Sequence, residues 1–576
     1  MNPADKQHIP PQRTVMFESS RFAATNKINS ADVDEDGTRI ITELESHFLP
    51  QSYTFEDLYR ELVGGIEDGK DDELENLLVL ASCLTKKANE PKGIDNCSWC
   101  EKLELFLSKI IFPDGKVFSL DRLDDEEQSE KIQKIKHCKE KYTMSIASLR
   151  RLQELRNSSD LQNSTLLSLL PFTNINNPWT TLQSRKTAIT ILERYNSYLQ
   201  SYEFIVTYVL QSFVRPMFSR APSLKSITAS SRKAAPSSAP PSHFDIRESS
   251  PSRQPWRSNS PSIIPILQWV IESIPVDILR REAFQVLTPP VLTLLDSPSN
   301  SIRLRALKLL PALFTKMDCK LLIDTGLGSV FEDAIHPILL FLPSLTPITE
   351  TLELLPAGYE ALFALCDVQW PEKEDTEQNA CGVAASIKNH SKPRLDFLDR
   401  IMRHAILPAH QHCQEIPSVV HILVLQIGTA IQKMKIWGVK HLKDILAIIN
   451  NVLTNPFLPN ASPTLIIDTL RTLRAIILEL WPRISFERHR LLILQALAFL
   501  YGNMDMEDQK SKEKEKVHEN IIKELRETVR VFAAAIQGAE DESVKQAFEG
   551  ELNIIIEANG ELASIFEVVR EAKANS

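Results

Sequence analysis

Glycine is scarce in this chain: 16 residues in 576. Few glycines with abundant Leu and Ile favour helices over strands and tight β-turns. Basic excess is also missing. The formal net charge is −10, which argues against wholesale nucleic-acid binding, a function that needs a basic domain. Cysteines number eight and are scattered, so they read as buried thiols of a reducing compartment, with a cytoplasmic and nuclear location expected. Long apolar runs are lacking. The longest, Leu491–Tyr501 and Ile338–Leu345, are too short to span a bilayer, so no membrane partner is expected. Met1–Arg21 is polar, and no secretory signal is expected. Nucleophile elbows, HExxH pairs, kinase signatures and dinucleotide fingerprints are absent, so the chain reads as a non-enzyme without a cofactor.

What is present is apolar residue at helical spacing; apolar types make up 43% of the chain. Ile263, Ile266, Leu267, Val270 and Ile274 form one helix face, ended by Pro275. A helix over Ile278–Leu295 follows, with Pro289 and Pro290 as a kink or break. Next come Asp296-Ser-Pro-Ser-Asn-Ser-Ile-Arg303 and the run Leu304, Leu307, Leu309, Leu310, Leu313, Phe314. This is the pattern of a HEAT repeat: the Asp caps a helix start and the Arg reaches a carboxylate of a neighbouring repeat. One such hairpin cannot bury its own apolar face, so hairpins must stack. The fold class is therefore all-α, a HEAT-like solenoid of stacked hairpins interrupted by a linker.

The order of segments follows. Residues 1–37 read as a disordered tail and 38–220 as an N-terminal helical region, with Thr187–Val214 one long amphipathic helix. Ser/Pro-rich 221–262 reads as a flexible linker, with Ser-Pro pairs at Ser250 and Ser260. It is either a passive tether or a phosphorylated segment whose phosphates pair with Arg247, Arg253 or Arg257. Residues 263–503 form the solenoid, and 504–576 a charged segment with capping helices.

Four constellations invite chemistry. Gly64–Asp71 approaches a P-loop but lacks the final Ser/Thr and a preceding strand, so it reads as a helix-connecting turn. Cys97-Ser-Trp-Cys100 has zinc or redox spacing, but only His137 and Cys138 lie nearby and no second pair exists; no metal is expected. His410-Gln-His412-Cys413 lacks i, i+4 spacing and reads as loop. Lys433, Lys435, Lys440, His441 and Lys443 surround Trp437. That group is either the solvated side of two helices or a contact for an acidic partner surface. Trp437, Lys433, Lys440 and Lys443 are the candidate partner-binding residues.

Several stretches resemble one known family. They are Thr325-Gly-Leu-Gly328, Val330-Phe-Glu-Asp-Ala334, Leu342-Pro-Ser-Leu-Thr-Pro347, Leu352–Leu355 and Tyr359-Glu-Ala-Leu362. Gln254-Pro-Trp256, Arg394–Ile401, Val439–Asp444, Asn455-Pro-Phe457 and Trp481-Pro-Arg-Ile484 extend the set. In order from about Arg215 to Tyr501, they resemble the family of the second Tel-two-interacting protein (Tti-two). The resemblance implies a helical, HEAT-like subunit of the TTT complex, partnered by Tti-one and Tel-two type HEAT-repeat subunits. That complex is a co-chaperone for phosphatidylinositol-3-kinase-related kinases of the TOR, ATM and ATR type. It works with the ninety-kilodalton heat-shock chaperone and serves TOR signalling, the DNA-damage response and telomere maintenance. No catalytic residues carry over. A generic HEAT-repeat adaptor, such as a transport factor, is the alternative.

Overall fold

The structure is a computed structural model that describes residues 16–34, 37–67, 72–89, 98–115, 117–118, 125–156, 161–218, 227–228, 231–234, 255–258, 260–371, 384–504, 512–539 and 541–566. It is 81% helical. Among the described residues there is no strand, only two isolated antiparallel bridges, Val33 with Arg39 and Ile227 with Lys233. The chain forms two compact units, Met1–Lys316 and Met317–Ser576.

In the first unit, α1 (Glu18–Asn29) packs on α2 (Glu73–Ala88), and α2 and α3 (Ser98–Ile111) pack on α4 (Asp125–Arg156). α1 replaces the expected disorder over Glu18–Asn29; residues 1–15 lie outside the described residues. It has no broad apolar stripe, which is why periodicity misses it. It is held instead by a narrow line of buried residues: Phe17, Ala24 and Ile28 are buried, and Ser20 Oγ donates to the Phe48 carbonyl at 2.7 Å. α3, α4 and the loop before α5 (Asn163–Leu169) meet at Glu104. That carboxylate is fully buried, pairs with Arg156, and accepts from Gln162 N and Thr165 Oγ1 at 2.8 Å each. Burying a carboxylate is costly unless its oxygens are satisfied in this way.

The expected single helix over Thr187–Val214 is broken into α6 (Leu182–Glu193), a turn at Asn196–Leu199, and a π-helical stretch at Glu203–Val214. Tyr195 marks the break. Its hydroxyl accepts from Gln153 Nε2 at 3.1 Å, which ties it to α4.

Part of the expected flexible linker is structured. Trp256 is buried and stacks on Phe218, with ring centroids 5.7 Å apart and planes at 9°, so the segment's two ends are stapled together. Ser231 is fully buried and its Oγ donates to the Gln285 carbonyl at 2.8 Å. The reason lies four residues on. Pro289 has no N–H, so inside α8 (Phe284–Leu295) the Gln285 carbonyl has lost its helical donor. α8 thus absorbs both prolines without breaking; a π-helical turn at Leu279–Ala283 precedes it. α7 (Ser260–Ser273) packs on the 3-10 turn Leu170–Phe172 and on α9 (Asn300–Lys316). Residues 263–316 therefore belong with the pre-linker helices rather than with the later ones. Arg303 reaches Asn300 Oδ1 at 2.9 Å within its own helix.

In the second unit every other helix stacks. α10 (Leu327–Ile335) and α11 (Ile348–Gln369) pair; α12 is Ala384–Ile401. α13 (Pro417–Met434) packs on α11 and on α15 (Pro463–Ile484), and α15 packs on α17 (Lys512–Gln537). α14 (Leu442–Leu453) packs on α16 (Glu487–Gly502) in the other layer. Helix i against helix i+2 in two layers is the stacking of helical hairpins, HEAT-like as expected. Arg-carboxylate pairs stitch the stack. Arg471 and Arg474 hold Glu524, and buried Arg490 is bidentate to Glu551 on α18 (Glu542–Ala558) at 2.5 and 2.7 Å.

By length and composition alone, Pro417–Leu453 is apolar enough to cross a membrane, as is the pair Pro261–Ser273 and Val276–Leu295, bent by 110°. The first corrects the reading that the apolar runs are too short. Its backbone, however, breaks at Lys435 (φ 54°), and Leu423, Ile427, Ile431 and Leu446 are packed inside the unit.

Candidate partner-binding surface

The C-terminus of α13 runs into a 3-10 turn, Lys435–His441, which packs on α15. Gly438 lets the turn fold tightly back on α13 while it touches α15. A Cβ there would stand 2.6 Å from Ile431 Cδ1 and 3.7 Å from Leu480 Cδ2. The neighbours of these contact residues turn outward. Trp437 is 63% exposed, with Ile436 beside it. On α15 the stripe Leu473, Ile476, Ile477 and Leu480 is buried, whereas Leu478 and Trp481, one step around the helix, are 63% and 42% exposed. α15 is kinked at Leu480 (φ −117°, ψ 16°). Pro482 follows within it, and its missing N–H leaves the Leu478 carbonyl without a helical donor. Phe486 is exposed just beyond, under the Arg483 guanidinium at 5.0 Å.

The structure sorts the expected basic group. Lys433 Nζ lies 2.6 Å from Asp367, and Lys440 Nζ 2.8 Å from Asp399. His441 is buried with Nε2 2.7 Å from the same Asp399. Burial pulls the His441 imidazole below its ordinary range against the pull of Asp399. Burial would raise Asp399, but Lys440, Arg403 and His441 hold it low. These two lysines tie helices together. Lys443 is exposed on α14. The surface therefore rests on Trp437, Trp481, Leu478 and Phe486 more than on cations. Sequence reasoning missed Leu478, Trp481 and Phe486 as surface, although a 478/481 pair out of phase with the 477/480 stripe signals it.

Two of the motif stretches also meet. Arg400 donates to Glu332 from Nε at 2.6 Å and from Nη2 at 2.9 Å, joining 394–401 to 330–334. Around this pair lies an open cavity of about 590 Å³ with His336, Pro337, Leu340 and His404. Burial is the first cause holding His336 below its ordinary range.

The other candidates fall elsewhere. Ser250, Arg247, Arg253 and Cys97 lie outside the described residues. Ser260 opens α7, and Arg257 lies over the Trp256 ring at 5.5 Å. Cys100 is buried, and His137 faces Glu73 at 3.4 Å. His410 and Cys413 sit on a helix, Leu407–Cys413, and not in a loop; both are buried, because an apolar stripe with Ala409 carries them inward. Among the described residues no three His, Cys, Asp or Glu side chains gather as a metal site. Cys83 and Cys366 are pushed up to about 12 by burial, far from nucleophilic.

A family model, the Tti2 family, matches residues 165–460, just over half of the chain. The chain belongs to the Tti2 family. The match covers Trp437 and the Glu332–Arg400 pair and stops short of Trp481. No curated protein matches this chain. Among solved structures, an engineered protein is similar over 86% of this chain and 98% of its own, at 12% identity and TM-score 0.28. The karyopherin Kap121p, bound to the extreme C-terminus of the phosphatase Cdc14p, is similar over 88% of this chain at 11% identity and TM-score 0.26. Its complex with Pho4p gives 12% and 0.26 over 89%. The chain spans about 60% of the length of these karyopherin chains.

Proposed function

We propose that this Tti2-family protein is a non-catalytic scaffold of the TTT co-chaperone. In this reading it holds a larger HEAT-repeat partner of the Tti-one type, with a Tel-two type subunit, and through them supports newly made kinases of the TOR, ATM and ATR type. The ninety-kilodalton heat-shock chaperone acts through the same assembly. Cytoplasmic and nuclear location and the absence of a cofactor belong to the same proposal. The family match carries the reading. The surface supports its mode. Exposed Trp437 and Trp481 flank one close helix contact, and aromatic anchors of this kind dominate protein interfaces. The test is affinity capture of the intact protein with mass spectrometry, plus depletion in its own cells. Recovery of HEAT-repeat subunits and a fall in kinase protein levels are expected. Capture without any HEAT-repeat partner, with unchanged kinase levels, refutes the proposal.

A further inference from the structure

One stretch of the first unit carries positive charge alone. Between Glu203 and Asp245 there is no acidic residue, whereas Arg215, Arg220, Lys225, Arg232 and Lys233 fall inside it. Part of this stretch is anchored on α8. Thr228 N donates to the Arg232 carbonyl at 2.8 Å and Ser231 N to the Thr228 carbonyl at 2.9 Å. With the bridge of Ile227 to Lys233 these bonds close a small turn. Of its described residues, Ile227, Thr228 and Ser231–Ala234, only Ser231 is buried, and it is buried completely. Its Oγ carries the turn into α8 by donating to the Gln285 carbonyl, the one that Pro289 leaves without a helical donor.

Three features make this contact releasable. Ser231 holds φ at 52°, a left-handed conformation that strains a residue with a Cβ. Little apolar burial retains the turn, since Ile227 and Ala234 are only half-buried and Thr228, Arg232 and Lys233 are exposed. Gln285 lies on the exposed side of α8, so on release its carbonyl meets water instead of remaining unpaired.

Phosphorylation decides between the docked and released states. It removes the proton that Oγ donates and sets about two negative charges against a carbonyl oxygen. A fully buried position has no room for the group. The flanking sequence suits the reaction: Arg232 and Lys233 directly follow the hydroxyl, so a kinase with an acidic substrate groove has two exposed cations to hold.

We propose that Ser231 is a phosphorylation site and that its modification releases the turn from α8. A kinase reaches the hydroxyl only in the released state. There Oγ attacks the γ-phosphorus of ATP, the bond to the ADP oxygen breaks, and the hydroxyl proton passes to the catalytic base of the kinase. The phosphoserine does not redock, and the turn stays free until a phosphatase hydrolyses the ester. The inference does not rest on the kinase co-chaperone reading.

The probe is ATP with the catalytic domain of protein kinase C, applied to the full-length chain, with the modified residues mapped by mass spectrometry. Pro289→Ala returns an N–H to the Gln285 carbonyl and so competes with Ser231. Loss of one ordinary hydrogen bond should raise the released fraction, and with it the initial rate of Ser231 phosphorylation, about fivefold. Alanine suits a helix interior better than proline, so this variant should fold, and a thermal melt checks it. In the phosphorylated native chain, amide hydrogen exchange across 227–234 should become as fast as in Ser231→Ala, while α7 keeps its protection. No phosphate on Ser231 in Pro289→Ala overturns the site. Equal rates in native and Pro289→Ala chains, or unchanged exchange across 227–234 after phosphorylation, overturn the release.

Discussion

Replacing Trp437 by Ala separates an interface anchor from a core residue. The indole is 63% exposed, and an exposed substitution away from special features changes stability by about 0.5 kcal/mol or less. Trp256 supplies the contrast. It is 1% exposed and stacked on Phe218, so its truncation should cost about 3–5 kcal/mol. The potential in binding follows from area. A Trp side chain offers up to about 250 Å², of which the exposed share here is ~160 Å², worth at most ~4 kcal/mol at 25 cal/mol per Å². Ordering costs reduce this, which leaves about 2 kcal/mol for a central anchor, or roughly 30-fold in affinity. The assay is titration of the captured HEAT-repeat partner against native, Trp437→Ala and Trp481→Ala proteins, with thermal melts alongside. A roughly 30-fold loss at unchanged Tm is expected for Trp437→Ala. Native affinity in both variants removes this surface from the interface, and a Tm drop like that of Trp256→Ala refutes its exposure.

Ser231→Ala should cost about 1 kcal/mol in chemical denaturation, because it unpairs the carbonyl freed by Pro289; no change would mean that the contact is idle. Proteolytic nicking between Ala234 and Pro255 should leave both pieces in one peak on native size exclusion, since Phe218 and Trp256 staple the ends and α7 packs on Leu170–Phe172; clean release of a folded piece starting near Ile263 would contradict the packing. Burial alone would raise the Glu524 carboxyl, but Arg471 and Arg474 hold it below its ordinary range. Its stabilisation is therefore complete above the unfolded value of about 4.3 and lost as pH falls through the lower folded value. Melts from pH 6 to pH 3 should show a shallower acid limb in Glu524→Gln, and identical limbs would exclude this link.

The helices of the second unit are legible because their apolar periods are strong: Leu470, Leu473, Ile477 and Leu480 fall on the buried face of α15 as spaced. Legibility fails where the buried groups are small or polar. α1 has Ser20 and Ala24 where a stripe would show Leu, and Ser231 looks like linker until the carbonyl it serves is known. It fails again where lysines are judged by charge alone. Lys433 and Lys440 sit in a basic run, yet each meets an Asp from another helix, Asp367 and Asp399, that no local pattern announces.

The exposed tryptophans follow from the same geometry that builds the stack. A hairpin array needs tight turns between its layers, and at Gly438 the chain folds closely on Ile431 and touches Leu480. Reaching it bends the backbone on both sides: Lys435 is placed at φ 54°, and Leu480 leaves helical geometry just before Pro482. Each break rotates the next residues out of the buried stripe. Trp437 and Trp481 adjoin the two contact residues, so the inward turn of Gly438 and Leu480 leaves both indoles on the outside. Two aromatic side chains are thereby held on rigid elements at one crossing, which limits the ordering cost of using them. A stack of helical hairpins can in this way present a preorganised anchor.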